Sequence, residues 1–214
     1  PISNTTAGGV WVSANPSVAT ISGSGLVNGV SAGTTVVSYT LATGCAAVTM
    51  VTVNATPAPV SGALAVCTGN ATVLSSATSG GSWVVTGSTV SLAPAAASCT
   101  VNGLVAGTAT VSYVLSTGCY SSAVVTVNLT PAAVVGPSGI CVAATAPFSN
   151  TTSGGSWVSG SSAIATVDGA GIVSGISAGS AIITYIMPSG CFSAAAVVIN
   201  PLPAAITMPV SVCE

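Results

Sequence analysis

Three copies of one pattern run along the chain, their tryptophans 72 and 74 residues apart, so the fold has to be a small unit built three times. Gly8-Gly9-Val10-Trp11, Gly80-Gly81-Ser82-Trp83 and Gly154-Gly155-Ser156-Trp157 are one motif. Ala32-Gly33-Thr34, Ala106-Gly107-Thr108 and Ala178-Gly179-Ser180 are a second, and Tyr39, Tyr113 and Tyr185 follow each of them. Thr43-Gly44-Cys45, Thr117-Gly118-Cys119 and Ser189-Gly190-Cys191 come next. Within a copy the period is two: Val37, Tyr39 and Leu41 alternate with Val36, Ser38 and Thr40. The same phase gives Val111, Tyr113 and Leu115, then Ile183, Tyr185 and Met187. Such alternation is a strand with one buried face. Turn signals such as Ser22-Gly23-Ser24-Gly25 and Asp168-Gly169-Ala170-Gly171 separate short strands, and no stretch carries a 3.6-residue stripe. The pattern predicts an all-β chain of sandwich repeats of about 72 residues. The middle copy carries extra residues between its Trp and its Tyr, near Pro94.

The chemistry open to the chain is narrow. Its 214 residues include no Lys, Arg or His, and the only carboxylate side chains are Asp168 and Glu214, for a formal net charge of −2. Serine and threonine abound, but no His or Lys is present as their base, so triad and dyad chemistries fail. Nucleic-acid binding fails with the missing cations, and one turn carboxylate, Asp168, makes no calcium site. The expectation is no enzymatic activity and no cofactor. Half of the residues are apolar, the opposite of the disordered signature. Gly, Pro, Ser, Thr or Asn interrupts every apolar run short of a membrane span, and Pro1-Ile2-Ser3-Asn4 resembles no signal peptide. A soluble monomer ordinarily keeps its neighbours away with charge; a chain this poor in charge is expected to pack against copies of itself. Seven cysteines point to an oxidising compartment.

The run from Trp11-Val12-Ser13-Ala14-Asn15-Pro16-Ser17-Val18-Ala19-Thr20-Ile21 to Gly25-Leu26-Val27-Asn28-Gly29 and Ala32-Gly33-Thr34 resembles the bacterial immunoglobulin-like group 2 domain. Trp157 to Ser180 matches nearly as well, whereas Ser91-Leu92-Ala93-Pro94 and Cys99-Thr100-Val101 replace the usual hairpin in the middle copy. The resemblance implies a small Ig-like sandwich per repeat, found in tandem on secreted and surface adhesins and stalks. The cysteine-bearing, charge-poor variety resembles repeats of large surface proteins of Bacteroidetes-type bacteria. The expected organisation is a repeat lacking its first strand (1–54), complete repeats at 55–128 and 129–200, and a first strand of a following or neighbouring repeat (201–214). Pro201 to Glu214 aligns with Leu129 to Val142, the region that the first repeat lacks. Two explanations are open: an excerpt of a longer tandem array, or head-to-tail completion by a strand from a second copy.

Cys67 and Cys119 bracket the second repeat, and Cys141 and Cys191 the third. In-repeat disulfides Cys67–Cys119 and Cys141–Cys191 are expected, each closing a loop of about 50 residues and worth roughly 4 kcal/mol on the chain-entropy model. The alternative is Cys45–Cys67 and Cys119–Cys141 across the linkers. Cys45 and Cys213 are then left to bond each other's copies in adjacent units. Cys99 has no counterpart and reads as a buried inert thiol or a lateral crosslink, since no basic side chain is present to activate it. The spacings and the absence of His disfavour zinc. Trp11, Trp83, Trp157, Tyr39, Tyr113 and Tyr185 read as core anchors, with a ligand-stacking stripe as the alternative. Asn4, Asn54, Asn70, Asn128 and Asn150 begin Asn-x-Thr sequons, a weak glycosylation signal in a chain so rich in Thr. The functional expectation is an extracellular, bacterial cell-surface structural protein, a segment or subunit of a fibre of head-to-tail, disulfide-stabilised repeats. The alternative is a spacer or binding module of a large adhesin, directed at carbohydrate or another surface.

Overall fold

A computed structural model describes residues 1–205. Every regular element among them is a strand, and no helix is long and apolar enough to cross a membrane. The first repeat holds β1 (Gly9–Ser13), β2 (Ala19–Ile21), β3 (Val27–Gly29), β4 (Gly33–Leu41) and β5 (Ala46–Val53). The second holds β6 (Ser61–Gly62), β7 (Ala65–Cys67), β8 (Ala71–Ser75), β9 (Gly81–Thr86), β10 (Val90–Ala95), β11 (Ser98–Gly103), β12 (Gly107–Leu115) and β13 (Tyr120–Asn128). The third holds β14 (Gly139–Cys141), β15 (Thr145–Pro147), β16 (Ser156–Ser159), β17 (Ala165–Val167), β18 (Ile172–Gly175), β19 (Gly179–Ile186) and β20 (Phe192–Asn200). The stretch expected to open a further repeat, with Cys213, lies outside the described residues from Ile206 on.

The third repeat shows the complete plan. One sheet has the order β14-β20-β19-β16 and the other β15-β18-β17. Ile140, Ile183, Val197 and Ile199 of the first close on Ala165 and Val173 of the second, and on Phe148 just after β15, to make its core. The inward residues are those that the period of two selects: Ala181, Ile183 and Tyr185 are buried, and Ile182 between them is exposed. Neighbouring strands are antiparallel except β14, which runs parallel to β20 with Ile140 opposite Ile199 and Cys141 opposite Asn200. The second repeat matches this with β7-β13-β12-β9. Its β10–β11 hairpin, where the sequence departs from its neighbours, enlarges the other sheet to β10-β11-β8-β6.

The repeated Gly-Gly-x-Trp has a mechanical basis. Gly8, Gly80 and Gly154 hold φ near +85° (86°, 84° and 87°), which only glycine adopts freely. A Cβ on Gly9, Gly81 or Gly155 would fall onto the ring of Tyr39, Tyr113 or Tyr185. In all three repeats that glycine's N–H donates to the tyrosine hydroxyl at 2.9 Å. The tyrosine ring in turn tilts against the tryptophan, with centroids 4.7, 4.9 and 4.8 Å apart. Such tilted pairs add about 0.5–1.5 kcal/mol beyond their burial.

By packing, the chain forms two compact units. The first comprises residues 1–65, 71–102 and 108–126; the second comprises 66–70, 103–107 and the chain from 127 on. In the first unit the opening repeat has, among the described residues, a larger sheet β1-β4-β5, with β5 at the edge, and a second sheet β2-β3.

Candidate functional site

With no imidazole, amine or guanidinium on any side chain, the groups left to consider are thiols, hydroxyls, aromatic rings and open strand edges. Among the described residues no cluster of three or more His, Cys, Asp or Glu side chains is placed to hold a metal ion. Asp168 serves its own turn, its Oδ1 accepting from the N–H groups of Ala170 and Ile172 at 2.9 and 2.8 Å. Trp83, Tyr113 and Tyr185 are buried, while Trp11, Tyr39 and Trp157 are half-buried. Among the sequons, Asn4, Asn54 and Asn70 are exposed and Asn128 and Asn150 half-buried. The Asn150 amide already donates to the Ala132 carbonyl and the Ser193 hydroxyl.

The cysteines depart from the expected pairing. Cys67 is bonded to Cys191, with Cα atoms 5.7 Å apart and a sequence separation of 124. Among the described residues Cys45, Cys99, Cys119 and Cys141 are free thiols, so neither Cys67–Cys119 with Cys141–Cys191 nor the alternative Cys45–Cys67 with Cys119–Cys141 is formed there. The cause is the parallel entry strand. It places Cys141 opposite Asn200, the last residue of β20, while Cys191 stands before the first. The nine residues of β20 span about 30 Å at roughly 3.3 Å each, and a disulfide joins Cα atoms about 6 Å apart. The second repeat repeats the geometry: Thr68 N–H donates to the Asn128 carbonyl at 2.8 Å as Val142 N–H does to Asn200 at 2.9 Å, which leaves Cys119 at the far end of β13. Cys213, the expected partner of Cys45, lies outside the described residues.

The Cys67–Cys191 bond therefore crosses from one repeat to the next, and the segment between is bolted at both sides. Thr130 N–H donates to the Thr68 hydroxyl at 2.9 Å, and the Thr130 hydroxyl to the Thr68 carbonyl at 2.7 Å. Two residues on, Ala132 N–H donates to the Thr152 hydroxyl at 2.9 Å, and the Ala132 carbonyl accepts from Ser193 at 2.7 Å. Cys191 Sγ lies 4.0 Å from the Asn128 carbonyl oxygen. Cys119 has the matching position one repeat earlier, with Sγ 3.8 Å from the Asn54 carbonyl oxygen.

In the first repeat, no strand among the described residues pairs with the outer edge of β5. Gly103 and Gly175 each lie under the carbonyl of an entry-strand cysteine, 2.9 Å from Cys67 O and 2.6 Å from Cys141 O when a Cβ is added. At their counterpart Gly29 the atoms nearest an added Cβ belong to the Val53 side chain, and a cavity of about 340 Å³ opens there beside Val30, Asn54 and Thr56. A second cavity, about 390 Å³, opens between Ile2, Trp11, Val37, Tyr39 and Thr49. Val51 and Val53 are half-buried, whereas their counterparts Val125, Val127, Val197 and Ile199 are at most 2% exposed. Cys99 is of another kind: it is fully buried on β11 opposite Leu74, and burial pushes its thiol up from the ordinary value.

Alternating inward residues, two facing sheets per repeat and a Trp–Tyr pair at one place in each define tandem Ig-like sandwiches. The family model for the bacterial Ig-like domain (group 2) matches residues 1–53 and 123–198. That is more than half of the chain, and the chain belongs to this family. No curated protein matches it. Among solved structures, the C-terminal 282-residue fragment of intimin, in complex with the intimin-binding domain of the translocated intimin receptor, is 17% identical, with a TM-score of 0.48 over 68% of this chain and 65% of that one. Invasin, a bacterial integrin-binding protein, is 16% identical, with a TM-score of 0.47 over 90% of this chain and 52% of that one. SGBP-B of the Bacteroides ovatus mixed-linkage glucan utilization locus is 15% identical, with a TM-score of 0.27 over 94% of this chain and 63% of that one. The chain spans less than two thirds of the length of each.

Proposed function

We propose that the chain is a structural, adhesin-like module of the bacterial surface: a run of links in an extracellular fibre, joined head to tail with copies of itself and carrying tension rather than chemistry. The Cys67–Cys191 bond carries this reading, because it fastens one repeat to the next rather than bracing a repeat internally. A disulfide spanning a junction transmits force past the linker and persists in an oxidising environment. The open edge of β5 and the cavity at Gly29 support completion of the first repeat by a strand from outside residues 1–205, the β-augmentation mode. On the outer face of the same sheet Val10, Val12, Val36, Val48 and Met50 are exposed with no charged side chain among them, a surface suited to close packing with uncharged neighbours.

Extraction of the native material without reductant tests the reading. Fibres of linked repeats at the cell surface, resistant to detergent and shortened by thiol reductant, are the expected result. A monodisperse single chain in the cytoplasm, with all cysteines as thiols, would overturn it.

A further inference from the structure

We propose that the cysteines follow a rule of one repeat forward: the entry-strand cysteine of each repeat bonds the hairpin cysteine of the repeat after it. Cys141 then takes the Thr/Ser-Gly-Cys hairpin of a further Ig-like repeat, and Cys119 and Cys45 each take the entry-strand cysteine of the repeat before them. The inference deepens the reading above and rests on it.

The formed bond supplies the template, and the asparagine that ends each repeat supplies the landmark. At the second junction Asn128 has Thr68 bonded to its carbonyl, so that Cys67 sits beside it, and Cys191 Sγ approaches the same carbonyl from the following repeat. At the first junction half of that arrangement is present: Cys119 Sγ stands at the Asn54 carbonyl, and the other half is the cavity beside Gly29 and Asn54. In both complete repeats the place under that glycine is filled by the carbonyl of an entry-strand cysteine. The cavity is thus the seat of a cysteine, and the thiol beside Asn54, one of its lining residues, is Cys119. Beyond the third repeat the opposite half is present: Cys141 is seated beside Asn200, its thiol exposed, awaiting a hairpin. Cys45, at the corresponding hairpin of the first repeat, is exposed for the same reason.

Each new bond is an oxidation of two thiols. The two sulfurs lose two protons and two electrons, which pass by thiol–disulfide exchange to a disulfide oxidant that leaves as two thiols. The in-repeat pairing is closed to Cys141 by the length of β20. Cys99 stays outside the ladder, shut in its core.

The partner thiol has two sources, a second copy of this chain or a further repeat of the same polypeptide, and one experiment separates them. Native assemblies are alkylated without reductant, digested with a non-tryptic protease and mapped by mass spectrometry. The rule predicts Cys67 linked to Cys191, Cys141 linked to a Thr/Ser-Gly-Cys hairpin peptide, and Cys45 and Cys119 each linked to an entry-strand peptide. Cys141 found with Cys45 marks a second copy; Cys141 linked to a hairpin peptide foreign to this sequence marks a longer polypeptide. Alkylated Cys141 in the assembly, Cys141 linked to Cys191, or Cys45 linked to Cys213 overturns the rule. In a Cys141→Ser variant the hairpin thiol it served becomes alkylated while Cys67–Cys191 persists; an unchanged map also overturns the rule. Fibres that image normally with Cys141 alkylated refute the ladder and leave the fibre standing, whereas dispersed chains refute the fibre itself.

Discussion

Removing the junction disulfide with Cys67→Ala and Cys191→Ala together, so that no stray thiol of the pair remains, should lower the stability of the third repeat by several kcal/mol. Bonded, Cys67 is anchored beside Asn128, so unfolding the third repeat alone leaves a closed loop of about 60 residues between Asn128 and Cys191. The chain-entropy model gives that constraint about 4 kcal/mol, and about 5 kcal/mol if both repeats unfold and the whole 124-residue separation is the loop. A domain of this size is stable by only about 5–10 kcal/mol, and each kcal/mol moves its Tm by roughly 4–8 °C. Differential scanning calorimetry of the oxidised chain and the double variant should therefore differ by at least about 15 °C in the transition of the third repeat. Cys119→Ala in the same isolated chain should shift nothing beyond about 2 °C, because its thiol is unbonded there. A drop of less than about 5 °C for the double variant, or an equal drop for Cys119→Ala, would refute the reasoning.

Other outcomes follow from the same structure. Tyr113→Phe removes the acceptor of the Gly81 N–H inside the second repeat and should cost about 1–3 kcal/mol in urea unfolding; Gly81→Ala, which drives a methyl into the Tyr113 ring, should cost more. Thermal stability should stay flat from about pH 4 to 8, since the chain has two carboxylate side chains and no histidine, and a Tm moving by more than about 5 °C there would contradict this. Burial holds the Cys99 thiol above its ordinary 9.0, so the folded state keeps that proton longer than the unfolded one. That contribution is complete below pH 9 and is lost as pH rises toward the folded-state value, and Cys99→Ala should remove this share of the alkaline loss of stability. In hydrogen exchange of the isolated chain, the β5 amides that face away from β4 should exchange far faster than those of β13 and β20, which have neighbours on both sides.

The long strands were legible because each carries enough alternation to fix its phase. Val111 and Tyr113, or Ile183 and Tyr185, announce a buried face by spacing alone, and the structure buries them. The entry strands were not legible: β7 and β14 are three residues each, too short for a period to show, and nothing in such a run tells parallel from antiparallel. The disulfide error follows from this gap. Parity gives Cys119 the inward face of Val125 and Val127, and there it is only half-buried; parity says which face a residue takes and not which end of the sheet its partner reaches. The glycines did carry the missing signal. Gly29, Gly103 and Gly175 stand at one place in all three repeats, and a glycine kept in a strand marks a close backbone approach. That approach is the entry-strand cysteine carbonyl over Gly103 and Gly175.

The claim that these repeats are links completed and fastened from outside is tested most directly by a cryo-electron microscopy map of the native assembly at a resolution that separates strands. The account predicts Ig-like repeats following one another in an unbranched fibre, with a fourth strand running parallel to β5, its cysteine seated over Gly29 and its sulfur joined to Cys119. A native assembly in which the β5 edge is bare and Cys119 is unbonded would contradict it.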